Sequence, residues 1–241
     1  MLEYLSGTLL PCGSIYNLLG YAGESVSSMG NIISQHIPSF WSSPTLSGGL
    51  TGAIVGCYQN SLNYVVQVGG RSSNILNIFD KTVKSSRGNP KWYARIDMPH
   101  GKVPYHHINV NKAITGVKDP HIWISGATAH AAGAIGRVLG VLNAIGPAAM
   151  ALYIAKTGYD VLKICITGNV TGAIALAAKE MASYWMSSCG ASAGAAAGSV
   201  VFPGVGTLLG AFLGGIAAGF GFESFKDSIV KTIKNFLNAY F

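Results

Sequence analysis

The chain has 241 residues, 49% of them hydrophobic and only 10% charged, with 32 glycines. An ordinary soluble domain carries about 25% charged residues, and a disordered chain is charged and poor in apolar residues, so neither class fits. Low charge with many small apolar residues points to a membrane-active or tightly self-packing protein, and the length allows one large domain or two small ones.

The net charge of +7 is localised. Between Arg71 and Lys118 lie nine bases, Arg71, Lys81, Lys84, Arg87, Lys91, Arg95, Lys102, Lys112 and Lys118, against Asp80 and Asp97; the rest of the chain balances. A basic middle segment suits an anionic partner such as phosphate, nucleic acid or anionic lipid. Dispersed bases also make an ordinary solvated face.

The N-terminal "MLEYLSGTLLPCGS" lacks a basic n-region and carries Glu3, so no secretory signal peptide is recognised. Ile15, Leu18, Leu19, Val26, Ile32 and Ile33 predict one or two short amphipathic helices ending at Pro38. Residues 25 to 70 contain no charged residue; "SGGLTGAIVGCYQNSLNYVVQVGG" mixes glycine with β-branched and aromatic residues. It predicts strands with turns at Asn60-Ser61 and Gly69-Gly70. "SSRGNPK" reads as a loop, followed by strand candidates "WYARIDM", "KVPYHHINVN" and "IWIS", the last after a "KDPH" turn. Residues 50 to 125 thus predict a small, mostly antiparallel β or α+β unit.

From Ala127 the chain turns to Ala, Leu, Ile and Gly with sparse charge. Gly146-Pro147 predicts a break between two helices, with Pro147 opening the second, and "NVTGAIALAAKEMASYWMSS" predicts a third. Asn169-Val-Thr171 matches the short glycosylation acceptor pattern. Cys12, Cys57, Cys165 and Cys189 form no C-x-x-C, and spacing leaves their disulfide state open.

Residues 181 to 222 form a 42-residue stretch without charge. Pro203-Gly204 divides it into two arms, each near the ~20 residues that cross a bilayer core. Gly190, Gly194 and Gly198 are spaced by four on one arm; Gly206, Gly210 and Gly214 are spaced by four on the other. That spacing puts small residues on one helix face and lets two backbones approach closely. A soluble hairpin packed within the protein satisfies the same pattern. The C-terminal Ile229, Val230, Ile233, Phe236, Leu237 and Phe241 recur at helical spacing, with Lys226, Lys231 and Lys234 largely off that stripe. This predicts a basic amphipathic helix suited to an anionic interface, or a surface helix covering a core.

"HINVNKAITGVKDPH" followed by "GAAAGSVVFPGVGTLLGAFLGGIAAGFG" resembles C-terminal modules of bacterial polymorphic and secreted toxins. Those modules pair a His-containing segment with a glycine-zipper tail. The resemblance spans roughly residues 93 to 222 and leaves residues 1 to 90 unmatched. It implies a toxin or defence role with membrane contact and fixes no enzymatic activity.

Four of the six histidines lie between 100 and 121. In a strand Tyr105, His107, Asn109 and Asn111 share one face, while His106, Ile108 and Val110 share the other. His100, His107 and His121, with Asn109 and Asp119, form a candidate catalytic group. The three histidines could hold a single metal, and a base among them near neutral pH would suit phosphodiester hydrolysis. Against an enzyme, H-E-x-x-H, G-x-S-x-G and P-loop motifs are absent, and only nine acids exist. Asn and Asp-Pro-His turns commonly satisfy backbone groups instead, and clustered histidines also make a pH latch.

The expectation is an α+β protein: a front unit over 1–125 that is antiparallel β or α+β, and an all-helical glycine-zipper unit over 126–241 containing a hydrophobic helical hairpin. The expected function is that of a toxin-like pore former, secreted or delivered to a target membrane, that binds anionic lipid, inserts its hairpin and forms a homo-oligomer without a cofactor. The alternatives are a His-dependent nuclease or hydrolase toxin with a translocation tail, the only reading with a nucleic-acid partner, and a non-membrane oligomer or filament protein.

Overall fold

The computed structural model describes residues 44 to 240, with side chains from 47 to 239. The helices predicted over residues 15 to 33, and Cys12, lie outside the described residues. Residues Ser43–Phe241 form one compact unit. In chain order the elements are α1 (Pro44–Asn63), β1 (Tyr64–Val68), β2 (Asn74–Lys84), β3 (Pro90–Asp97), β4 (His107–Val110), α2 (Lys112–Thr115), β5 (Ile122–Trp123), α3 (Gly126–Ile166), α4 (Val170–Val201), α5 (Val205–Glu223) and α6 (Lys226–Tyr240). The fold is α+β, an antiparallel sheet in the front half followed by helices.

The sheet is a meander in the order β1-β2-β3-β4-β5, all pairs antiparallel. Alternation decides its two faces. Leu76, Ile78, Ala94, Ile96, Ile108 and Val110 are buried in one core with Ala129, Ala132 and Leu139 of α3 and Val205 and Leu208 of α5. Asn77, Arg95, Asp97, His107 and Asn109 fall on the opposite parity. The Gly69-Gly70 turn is present, both residues at positive φ.

Two expectations are corrected. Residues 47 to 63 are not strands with a turn at Asn60-Ser61 but lie within helix α1. Gly48, Gly52 and Gly56, spaced by four, make a helix face without side chains. A Cβ at each would land on the backbone of Gly219, Gly215 and Ala211 of α5. Tertiary packing outweighs the β propensity of Ile54, Val55 and Tyr58. Nor does Gly146-Pro147 divide α3, which runs 41 residues with Pro147 inside it. The proline lacks the N–H that would bond the carbonyl four residues back. It persists where Gly146 packs so closely on α1 that an added Cβ would lie 2.8 Å from the Cys57 carbonyl oxygen.

Helices α4 and α5 form the predicted hairpin. Gly190 opposes Gly214, Gly194 opposes Gly210, and Gly198 opposes Gly206, each so near that a Cβ would overlap the partner's backbone. The turn at Pro203-Gly204 rests on the apolar side of the sheet: a Cβ on Gly204 would lie 2.8 Å from Ala94 Cβ and 2.9 Å from Ile78 Cδ1. Its φ of +87° separately favours glycine. Thr207 Oγ1 accepts from the Gly204 N–H at 3.2 Å and pairs with Ser199 Oγ at 2.7 Å, closing the turn.

Gly194→Val forces side-chain atoms into the Gly210 carbonyl and is expected to cost about 1–3 kcal/mol. Gly158→Ala, where an added Cβ meets nothing within 4 Å, should gain up to about 1 kcal/mol from helix propensity. Paired denaturation curves check both; equal behaviour of the two variants refutes the backbone contact.

Candidate functional site

The polar side of β3 and β4 gathers the chemistry. Antiparallel register sets Asp97 opposite His107 and Arg95 opposite Asn109. After β3 the chain turns through Gly101, at φ +55°, and an isolated bridge joins His100 to Val103. This returns His100 beside His107, their ring centroids 5.1 Å apart.

Asp97, His107 and Asn109 are fully buried. Asn109 Nδ2 donates to Asp97 Oδ2 at 2.7 Å. Arg95 Nε lies 2.9 Å from the same oxygen as an ion pair, without the alignment of a hydrogen bond. The Arg95 guanidinium also sits 4.8 Å over the Trp92 ring. Tyr105 O lies 2.9 Å from His107 Nδ1, and Met98 O lies 2.8 Å from His100 Nδ1. A carbonyl only accepts, so both Nδ1 atoms carry a proton, and the neutral tautomer of each ring presents its lone pair at Nε2. His107 Nε2 is 3.8 Å from Asp97 Oδ2, too far for a hydrogen bond. His107 Nε2, Asp97 Oδ1 and Asn109 Oδ1 are buried without a hydrogen-bond partner. Each such atom costs about 1–3 kcal/mol, a burden that marks a site rather than a core.

One donor atom each from Asp97, His100 and His107 lies within 4.8 Å of the others, an Asp/His/His set that could hold a metal. Of the sequence-derived candidates, His100 and His107 meet here, and the His121 ring centroid also lies 5.1 Å from that of His107. His121 is the one non-glycine at positive φ (+44°) among the described residues. Asn109 orients Asp97 instead of facing solvent. Asp119 is outside the donor set, its Oδ1 buried without a partner. Asn111 caps α2, accepting from the Ala113 N–H at 3.0 Å. His106 points to α3, its ring 5.8 Å from that of His130. Sequence reasoning passed over Asp97 and Arg95 as site residues. The signal was the Asp97-Met-Pro-His100 spacing with its turn.

Beside Arg95 a groove of about 320 Å³ is lined by Gln67, Arg71, Asn77, Phe79 and Trp92. On α6, Lys231 and Lys234 are exposed, whereas Lys226 is ion-paired with Glu223.

At the start of β1, burial pushes the Tyr64 phenol up to about 12, with Asp80 and Tyr93 adding to the effect. The folded pKa lies above the ordinary 10.0. The folded state therefore holds its proton longer, and the stabilisation is complete below pH 10 and lost as pH rises toward 12. Denaturation midpoints across that window should fall in the wild type and fall less in Tyr64→Phe; identical profiles contradict the assignment.

A family described as C13G5.2-like N-terminal domain matches residues 47–142. These residues include most of α1, all five strands and the start of α3, and with them the Asp/His/His set, but not the α4–α5 hairpin. The chain is 46% identical over 147 residues to a Caenorhabditis elegans protein, Uncharacterized protein C13G5.2, covering 59% of this chain and 42% of that one. The match thus spans less than half the length of that relative. No solved structure matches. The front of the chain, glycine-faced helix and polar sheet together, is similar to the C13G5.2-like N-terminal domain.

Proposed function

We propose that this is a membrane-embedded, toxin-like protein, its helices in the bilayer and its basic sheet against anionic headgroups. Helix α3 carries the reading. Residues 138 to 155 are 18 positions without charge, between Arg137 and Lys156. At 1.5 Å per residue they span about 27 Å, close to the ~30 Å hydrocarbon core. The most apolar 18-residue window of α3 is only 17% buried within the protein. Val138, Val141, Ile145, Leu152 and Ile154 are half-exposed or more. A helix apolar on all sides belongs in a protein core or in lipid, and α3 gives the core only a narrow stripe, Ala129, Ala132 and Leu139.

Helix α5 is the second apolar helix of spanning length, and α4 has 21 uncharged positions from 181 to 201. Charges stand at the same end of the three, with Lys156 on α3, Glu180 on α4 and Glu223 on α5; Tyr153 of α3 donates to Glu180 at 2.8 Å. The glycine rows oppose each other within one chain, so pore assembly in this proposal runs through the outer faces of α3 and α4. A second reading, a hydrolase toxin using a single metal on the sheet with the helices as its translocation tail, is favoured by the Asp97–His100–His107 donor set.

Cysteine reactivity tests the embedding. Cys165, near the end of α3, and Cys189, mid-window in α4, are both exposed. With Cys12 and Cys57 changed to serine, a permeant maleimide should modify both in aqueous solution. On chain floated with anionic vesicles, Cys165 should still react while Cys189 is protected at least tenfold. Equal rates on vesicles end the membrane reading. Release of an entrapped dye reads the pore separately: binding and protection without release remove the pore and keep the embedding.

A further inference from the structure

We infer that Asp97, His100 and His107 form a three-ligand zinc site whose open fourth position takes an oxyanion. This rests on the metal reading above and assigns its ion, its ligand atoms and its ligand class. Two imidazole nitrogens and one carboxylate oxygen suit zinc, whereas magnesium and calcium prefer all-oxygen sets.

The surrounding hydrogen bonds select the ligand atoms. The carbonyls of Tyr105 and Met98 hold the two Nδ1–H groups, leaving both Nε2 atoms as ligands. This is the usual outer arrangement of metal-binding histidine. Asn109 and Arg95 engage Asp97 Oδ2, leaving Oδ1 as the third ligand. Two of these three, His107 Nε2 and Asp97 Oδ1, are the buried atoms without partners, and one ion satisfies both. One donor atom of each residue lies within 4.8 Å of the others, and His107 Nε2 stands 3.8 Å from the Asp97 carboxylate; rotation of that carboxylate and of His100 brings such a set to the ~3.3 Å edge of a tetrahedron with ~2.0 Å bonds.

Charge decides the fourth position. With neutral imidazoles, the Arg95 cation offsets the Asp97 carboxylate, and the zinc leaves two positive charges in a buried site. Arg71, which lines the same groove as Arg95, and Lys102, two residues after His100 and exposed, add positive charge. An anionic oxygen ligand, such as a phosphate or carboxylate, balances that charge directly, whereas a bound water does so only by giving up a proton.

Cobalt(II) titration of the full chain in detergent tests this, because tetrahedral cobalt absorbs visibly and reports its ligands. One cobalt per chain is expected, displaced by zinc. Asp97→Asn and His100→Ala should weaken binding at least tenfold, and Asn109→Ala about tenfold through loss of carboxylate orientation. His121→Ala should leave affinity within about twofold. Inorganic phosphate should shift the cobalt spectrum saturably. Absence of saturable cobalt binding to the folded wild type overturns the metal reading itself. Binding that survives both Asp97→Asn and His100→Ala overturns the ligand assignment. Binding indifferent to phosphate and weakened tenfold by His121→Ala means His121 closes the site; that outcome overturns the oxyanion inference and leaves the metal reading standing.

Discussion

Backbone-to-backbone contact along α5 is the constraint on which the rest depends. Gly206, Gly210 and Gly214 face α4, while Ala211, Gly215 and Gly219 face α1. The two rows are offset by one residue, about 100° around the helix. Helix α5 therefore presents two smooth faces and holds a neighbour on each. Such contacts gain by many close dispersion pairs and weak Cα–H···O interactions, and they lose almost no side-chain entropy because glycine has none. They also require little loss of water from apolar side chains, so the same packing works in lipid as in water.

That packing positions the sheet. The α4–α5 turn can rest on Ala94 and Ile78 only because Gly204 has no side chain. Val205 and Leu208 then enter the sheet core. On the far side of the same strands lie Asn77, Arg95, Asp97 and Asn109. A one-residue slip between β3 and β4 would move Ile108 and Val110 out of the core. Hydrophobic burial of Ile96 against Ile108 thus fixes the register that sets Asp97 opposite His107. The polar cluster draws its precision from apolar residues it does not touch.

Much of this was legible in the sequence. The alternation in "HINVN" gave the two faces of β4, and the mirrored glycine rows gave the α4–α5 hairpin. Helix α1 was missed although Gly48, Gly52 and Gly56 repeat the same four-residue spacing. Its β-branched and aromatic residues competed with that signal, and its partner, the second small-residue face of α5, is visible only in three dimensions. The predicted break at Pro147 failed because a local rule cannot register what α1 supplies at Gly146. Asp97 was passed over because a carboxylate becomes a ligand candidate through the strand opposite it, where His107 stands ten residues further along the chain.

Charge segregation joins the two halves. Among the described residues most acids are committed locally: Asp80 to Thr82, Asp97 to Arg95 and Asn109, Asp160 to Lys156, Glu180 to Lys179 and Tyr153, and Glu223 to Lys226 and Ser47. Three of these five, Asp160, Glu180 and Glu223, occur at the helix ends away from the sheet. On the sheet side, among the described residues, Asp97 pairs with Arg95 and neutralises that single arginine. The excess of Arg71, Lys84, Arg87, Lys102, Lys112 and Lys118, all exposed, therefore stands at one end of a helical body whose acids sit mostly at the other end. Such a separation keeps the field of the basic residues outside the low-dielectric helices and directs it to whatever anionic surface or ligand approaches the sheet.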